Sequence, residues 1–182
     1  MNFSIIIPTH NREKTIKRTL DSVISQSYTK WECLVVDDGS KDRTIEVVTL
    51  YSKKEKRIKL IRRDSLPKGA NKCRNIGYEN AIGDYLIFLD SDDELKENSL
   101  ERRCNDLIET KFDFIVYPMQ TNQNGEVKLQ PIPNSKSYII DFLSYRFHWG
   151  IMCVTWKKDF LEKKLNYIFL EKLPRFNDVD LS

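Results

Sequence analysis

A regular alternation of short β-branched runs with amphipathic helical segments constrains this 182-residue chain more than any other feature. The first run, Phe3 to Ile7, is closed by Pro8. Helical spacing follows over Lys14 to Ile24, where Ile16, Leu20, Val23 and Ile24 share a face and Asn11 is placed to cap the start. A strand is expected over Glu32 to Val36, stopped by the turn-forming cluster Asp37-Asp38-Gly39-Ser40. The series continues with a helix over Arg43 to Ser52, a strand over Ile58 to Ile61 and a helix over Asn71 to Ala81 that ends at Gly83. A strand over Tyr85 to Leu89, a helix over Lys96 to Thr110 and a strand over Phe112 to Tyr117 complete it. Tyr85 to Leu89 is apolar throughout, which suits a strand covered on both faces. Strands that alternate with helices need crossover connections. The expected fold is therefore α/β, Rossmann-like, with a mostly parallel sheet and helices on both faces. In such sheets ligands bind beyond the carboxyl ends of the strands. Pro8, Asp37-Asp38 and Asp90-Ser91-Asp92 all fall at such ends, so the topology gathers three remote segments into one crevice.

The character changes after Tyr117. Gln120 to Gly125 is polar and turn-like, and Pro131 and Pro133 follow, which predicts a hairpin or loop excursion. A short helix is expected near Ile140 to Tyr145, a strand returning to the sheet over Met152 to Trp156, and a helix over Lys158 to Leu165.

Composition narrows the partners. Hydrophobic residues make up 40% of the chain and aromatics 11%, enough for a sizeable core. Thirty Lys and Arg nearly balance 27 Asp and Glu, leaving a net charge of +3, so no nucleic-acid partner is expected. The densest basic run, Lys53-Lys54-Glu55-Lys56-Arg57 with Arg62 and Arg63 behind it, suits a solvated helix end. Its alternative is a weak peripheral contact with an anionic membrane surface. Cys33, Cys73, Cys104 and Cys153 form no CxxC pair, which argues against a zinc site and for buried reduced thiols in a reducing cytosol. The N-terminus has no basic region before its short apolar run, unlike a signal peptide, and no apolar stretch is long enough to span a bilayer.

Four segments carry chemistry. In Leu89-Asp90-Ser91-Asp92-Asp93, carboxylates at a strand end can hold Mg²⁺ or Mn²⁺, which take carboxylate and phosphate oxygens and reverse the repulsion between acids and a diphosphate. The same acids can instead cap the next helix. A calcium loop over Asp90 to Glu101 is disfavoured because Leu95 stands where the sharp turn needs Gly. An aspartate-nucleophile phosphatase would leave Asp37-Asp38 unexplained. In Val35-Val36-Asp37-Asp38-Gly39-Ser40, an acid can accept the N3–H of uracil, or simply cap a turn. In Lys68 to Asn75, Gly69 permits a close loop, and Arg74 or Lys72 can meet a phosphate or the base; an ordinary helix start is the alternative. In Phe176-Asn177-Asp178-Val179-Asp180, a carboxylate can act as a general base, or the segment is an acidic tail. His10 and His148 are too isolated to suggest a metal site; His148 beside Trp149 can face a sugar, whose C–H surface stacks on aromatic rings, or simply pack in the core or on the surface.

In order along the chain, Ser4 to Glu13, Val35 to Ser40, Ala70 to Gly77 and Asp84 to Asp93 resemble family 2 glycosyltransferases of the GT-A fold. The likeness is clear from Asn2 to about Tyr117 and weaker beyond. It implies a nucleotide-sugar donor, often UDP-linked, an inverting transfer, and a glycan or lipid-linked saccharide acceptor at the cytoplasmic face of a membrane. Residues 1–117 would form the nucleotide-sugar-binding half and 118–182 the acceptor side. By the resemblance, Pro8 and Thr9 line the nucleoside pocket, Asp38 holds the uracil, Arg74 joins the donor site, Asp90 approaches the ribose, Asp92 coordinates the metal, and Asp178 is the base. Two departures stand out. Asn177 replaces the usual Glu, and the chain ends four residues after Asp178, where the family continues with a helix. The acceptor half is thus expected to be cut short, and a donor-binding module without full catalytic activity is the alternative.

Overall fold

The structure is a computed structural model and describes residues 1–110, 112–123, 126–130, 132 and 150–164. Eight strands are described: β1 (Phe3–Thr9), β2 (Trp31–Asp37), β3 (Ile58–Arg62), β4 (Tyr85–Phe88), β5 (Phe114–Val116), β6 (Met119–Gln123), β7 (Glu126–Gln130) and β8 (Val154–Lys157). The helices are α1 (Ile16–Ile24), α2 (Thr44–Lys54), α3 (Ala70–Asn80), α4 (Ser99–Glu109) and α5 (Lys158–Lys164).

Six strands form one sheet in the order β3-β2-β1-β4-β8-β5. The pairs β3–β2, β2–β1 and β1–β4 are parallel, while β8 runs antiparallel to both β4 and β5. The expected α/β architecture is present, and the strand expected over Met152 to Trp156 does return to the sheet, at Val154–Lys157. The polar segment after Tyr117 forms the antiparallel ribbon β6–β7, paired from Met119 opposite Gln130 to Gln123 opposite Glu126.

Alternation along the strands sorts the core into two layers. Phe3, Ile5, Ile7, Cys33, Val35 and Ile87 pack with Ile16, Leu20, Val48, Leu100 and Leu107 from α1, α2 and α4. Ile6, Leu34, Leu86 and Phe88 face the other way, toward Ala81 beyond α3 and Leu161 of α5. Each fully buried aliphatic side chain contributes about 1.5–3 kcal/mol of transfer free energy, so both faces hold their helices firmly. A polar knot closes the amino end of the sheet. Ser4 Oγ donates to Glu32 Oε1 at 2.7 Å, Lys59 Nζ to Glu32 Oε2 at 2.9 Å, and the Ile82 N–H to Glu32 Oε1 at 2.7 Å. Buried Arg103 ties α4 to β8 by donating to Thr155 Oγ1 at 2.5 Å and to the Met152 carbonyl at 2.9 Å.

Three local expectations need correction. β1 continues through Pro8 to Thr9. The Leu89 N–H reaches the Ile6 carbonyl and the Asp38 N–H reaches the Thr9 carbonyl, so Pro8 faces the β4 side, where pairing with β1 ends at Phe88. Its missing N–H costs no ladder bond there. Asn11 does not cap α1. It has φ 52°, its N–H donates to Ser40 Oγ at 2.9 Å, and its Oδ1 accepts the Lys41 N–H at 2.9 Å. Finally, α4 starts at Ser99 rather than Lys96, too late for Asp92 or Asp93 to cap it. The helix expected near residues 140–145 lies outside the described residues.

Candidate functional site

The carboxyl ends of β1, β2 and β4 place Pro8 and Thr9, Asp37 and Asp38, and Asp90 to Asp93 along one edge of the sheet. Parallel register sets Thr9 opposite Asp37, and the Asp38 N–H donates to the Thr9 carbonyl at 2.9 Å. Thr9 Oγ1 is buried with no hydrogen-bond partner among the described residues.

The two acids after β2 are held differently. Asp37 accepts the Ser40 N–H at 2.9 Å and the Ser40 hydroxyl, closing the turn. Asp38 is buried, and its Oδ1 receives the guanidinium of Arg63. Its Oδ2 accepts the Gly69 N–H at 2.6 Å. Gly69 has φ 150°, a backbone state that side chains resist, so the residue type matters for this contact. Arg63 was not singled out in the sequence for this role. No local signal in the sequence points to it: β2 and β3 run parallel with Asp37 opposite Arg62, and that pairing sets the residues following the two strands side by side.

The acidic segment after β4 faces three arginines. Buried Arg74 of α3 donates through Nη2 to Asp90 Oδ1 at 2.7 Å. Arg18 Nη2 donates to the Asp92 carbonyl at 2.6 Å, and its Nε lies 3.5 Å from Glu94 Oε1. The Asp92 carboxylate is about half exposed (49%) and meets Arg12 only at 4.0 Å, so it stays available to a ligand. Burial raises the Asp93 carboxyl from 3.8 to about 6, helped by the negative charges of Asp90 and Asp92. That crowding of like charge is what a bound cation would relieve. Among the described residues no three His, Cys, Asp or Glu side chains converge to hold a metal ion. A hard divalent ion on Asp92 would therefore take most of its oxygens from phosphate and water, which is how Mg²⁺ commonly binds. On those terms the residues present fit such an ion.

The structure thus brings Pro8, Thr9, Asp38, Arg74, Asp90 and Asp92 to one edge. Asp178, His148 and Trp149 lie outside the described residues. His10 is exposed, and among the described residues its ring meets the neighbouring Asn11 side chain at 3.2 Å.

Comparison with known proteins identifies the family and the fold. Residues 4–168 match the model for glycosyl transferase family 2. The chain is 39% identical over 152 residues to the Escherichia coli UDP-Glc:alpha-D-GlcNAc-diphosphoundecaprenol beta-1,3-glucosyltransferase WfgD, covering 84% of this chain and 58% of that one. The crystal structure of residues 1–349 of Staphylococcus aureus TarS in complex with UDP superposes with a TM-score of 0.75 at 29% identity, over 92% of this chain and 50% of that one. The same protein in complex with UDP-GlcNAc gives a TM-score of 0.75 at 28% identity, over 92% and 48%. The chain spans about half the length of these relatives. With the family model matched over most of its length and the fold shared, the chain belongs to glycosyltransferase family 2 and carries the GT-A fold.

Proposed function

We propose that this chain takes a sugar from a UDP-linked donor, with a divalent metal, and transfers it with inversion to a glycan or lipid-linked saccharide acceptor. The observation that carries the reading is the gathering of Asp38, Asp90 and Asp92 on one sheet edge, each held by or facing a cation. The complexes of TarS with UDP and UDP-GlcNAc support the choice of nucleotide. The diphosphoundecaprenol-linked acceptor in the name of WfgD supports a lipid-linked saccharide acceptor, which would sit in a membrane. No helix among the described residues is long and apolar enough to cross one.

Each residue then has a task. Pro8 and Thr9 line the nucleoside pocket, and Asp38 accepts the uracil N3–H. Arg74 fixes Asp90 for the ribose hydroxyls. Asp92 holds Mn²⁺ or Mg²⁺, which when bound neutralises charge on the leaving diphosphate. Asp178 removes the proton from the acceptor hydroxyl, whose oxygen attacks the anomeric carbon from the face opposite the diphosphate. A module that binds donor without transferring sugar is the second reading, favoured by Asn177 standing where the family resemblance leads one to expect Glu beside the base.

Calorimetric titration with UDP, with and without Mn²⁺ and with GDP as control, tests the donor site. Metal-dependent binding of UDP over GDP is expected. A folded sample that binds neither nucleotide would overturn the reading. Asp92→Ala is expected to remove the metal dependence and to cut transfer at least about 100-fold, since it deletes charge stabilisation of the leaving group. Full metal-dependent activity in that variant would show that the metal sits elsewhere.

A further inference from the structure

The guanidinium of Arg63 is the least expected part of this edge. Its side chain is 5% exposed, and that of Asp38 is 7% exposed, so both charges are out of water and depend on each other. The fork divides its donors. Nη1 goes to Asp38 Oδ1, while Nη2 goes to the Ser65 carbonyl at 2.5 Å and the Pro67 carbonyl at 2.8 Å. The loop fastened in this way leads directly into Gly69, whose N–H reaches the other Asp38 oxygen at 2.6 Å. One side chain therefore fixes the carboxylate directly and, through the loop, fixes its second donor as well.

We infer that Arg63 is a positioning residue that sets pyrimidine selectivity: it orients Asp38 as an obligate acceptor, which admits uracil and rejects cytosine. This rests on the reading of Asp38 as the partner of the base. The chemistry follows from the two rings. Uracil presents N3–H, a donor, to the carboxylate. Cytosine N3 carries no hydrogen and presents a lone pair, so acceptor meets acceptor in a buried place. A carboxylate free to turn away would lose that contrast. The Arg63–Gly69 clamp removes the freedom. Lysine can keep the charge but not the division of donors, because an ammonium is a point rather than a planar fork.

The test is titration of UDP and CDP, in Mn²⁺, against the parent chain and Arg63→Lys, with folding checked by circular dichroism. The parent is expected to prefer UDP at least about tenfold, the weight of one buried hydrogen bond to a charged group. Arg63→Lys should bring the ratio within about threefold, by weakening UDP while leaving CDP unchanged. Equal weakening of both nucleotides, or an unchanged ratio, would mean that Arg63 only braces the fold and would overturn the inference. Hydrogen exchange on the unmodified chain gives a second readout. At matched saturation UDP should protect the Gly69 amide more than CDP does, and equal protection also counts against the clamp. A parent that binds UDP and CDP alike overturns the assignment of Asp38 itself. A folded parent that binds no nucleotide instead fails the donor reading.

Discussion

At Asp93 a carboxyl group is held where its charge is unwelcome. Burial and the neighbouring Asp90 and Asp92 raise it from 3.8 to about 6. The folded chain thus binds this proton more tightly than the unfolded chain. Its contribution to stability is fully present below pH 3.8 and is lost as the pH rises through about 6. Without metal, Asp93→Asn should therefore stabilise the fold more at neutral pH than at pH 4, with a difference of up to about 3 kcal/mol. Denaturation midpoints of both proteins across that range check it; a constant difference would show that Asp93 feels no such penalty. Adjacent residues in this segment thus differ in kind. Asp92 is half exposed and available, whereas Asp93 is partly buried and electrostatically crowded.

The element that matters most to the site is α3. It carries Arg74 to Asp90, and Gly69 stands at its start. It lies flat on β1 because Gly77 has no side chain. A Cβ there would fall 2.3 Å from Ile6 Cγ2, and Ile6 is fully buried in the middle of the sheet. In an open helix Gly→Ala is commonly stabilising. Here Gly77→Ala should instead cost about 1–3 kcal/mol as overpacking. By lifting α3 it should also weaken UDP binding. Thermal unfolding and a UDP titration measure the two effects; a variant as stable as the parent would mean that α3 has slack against β1.

Across the whole molecule, the four cysteines report on the core. All are free and buried, Cys33 and Cys104 in the layer under α1, α2 and α4. Burial pushes the Cys33 thiol up, raises Cys73 to about 11 and raises Cys153. Since the thiolate is the reactive form, a thiol reagent at neutral pH should leave the folded chain almost untouched. In denaturant all four should become reactive over the same transition as the loss of secondary structure, if the two layers unfold as one unit. Early release of Cys153, which precedes β8, would show that the antiparallel edge opens first.

The sequence by itself determined the alternation of elements and the placing of acids at strand ends. Hydrophobic period and turn chemistry are local, so Ile5, Val35 and Ile87 announce buried strands, and Asp38 and Asp90 announce their ends, without knowledge of neighbours. It also carried the likeness by which the family was recognised. Which strands lie side by side was not local. Only the tertiary structure placed β3 beside β2, so that Arg63 meets Asp38 across 25 residues of chain. The same holds for β8, which crosses from the far end of the chain to lie antiparallel between β4 and β5. The α3 contact turns on the shape of Ile6, and the Asp93 shift on how charges crowd once buried. Such facts depend on distances between remote residues, and those distances exist only once the chain has closed on itself.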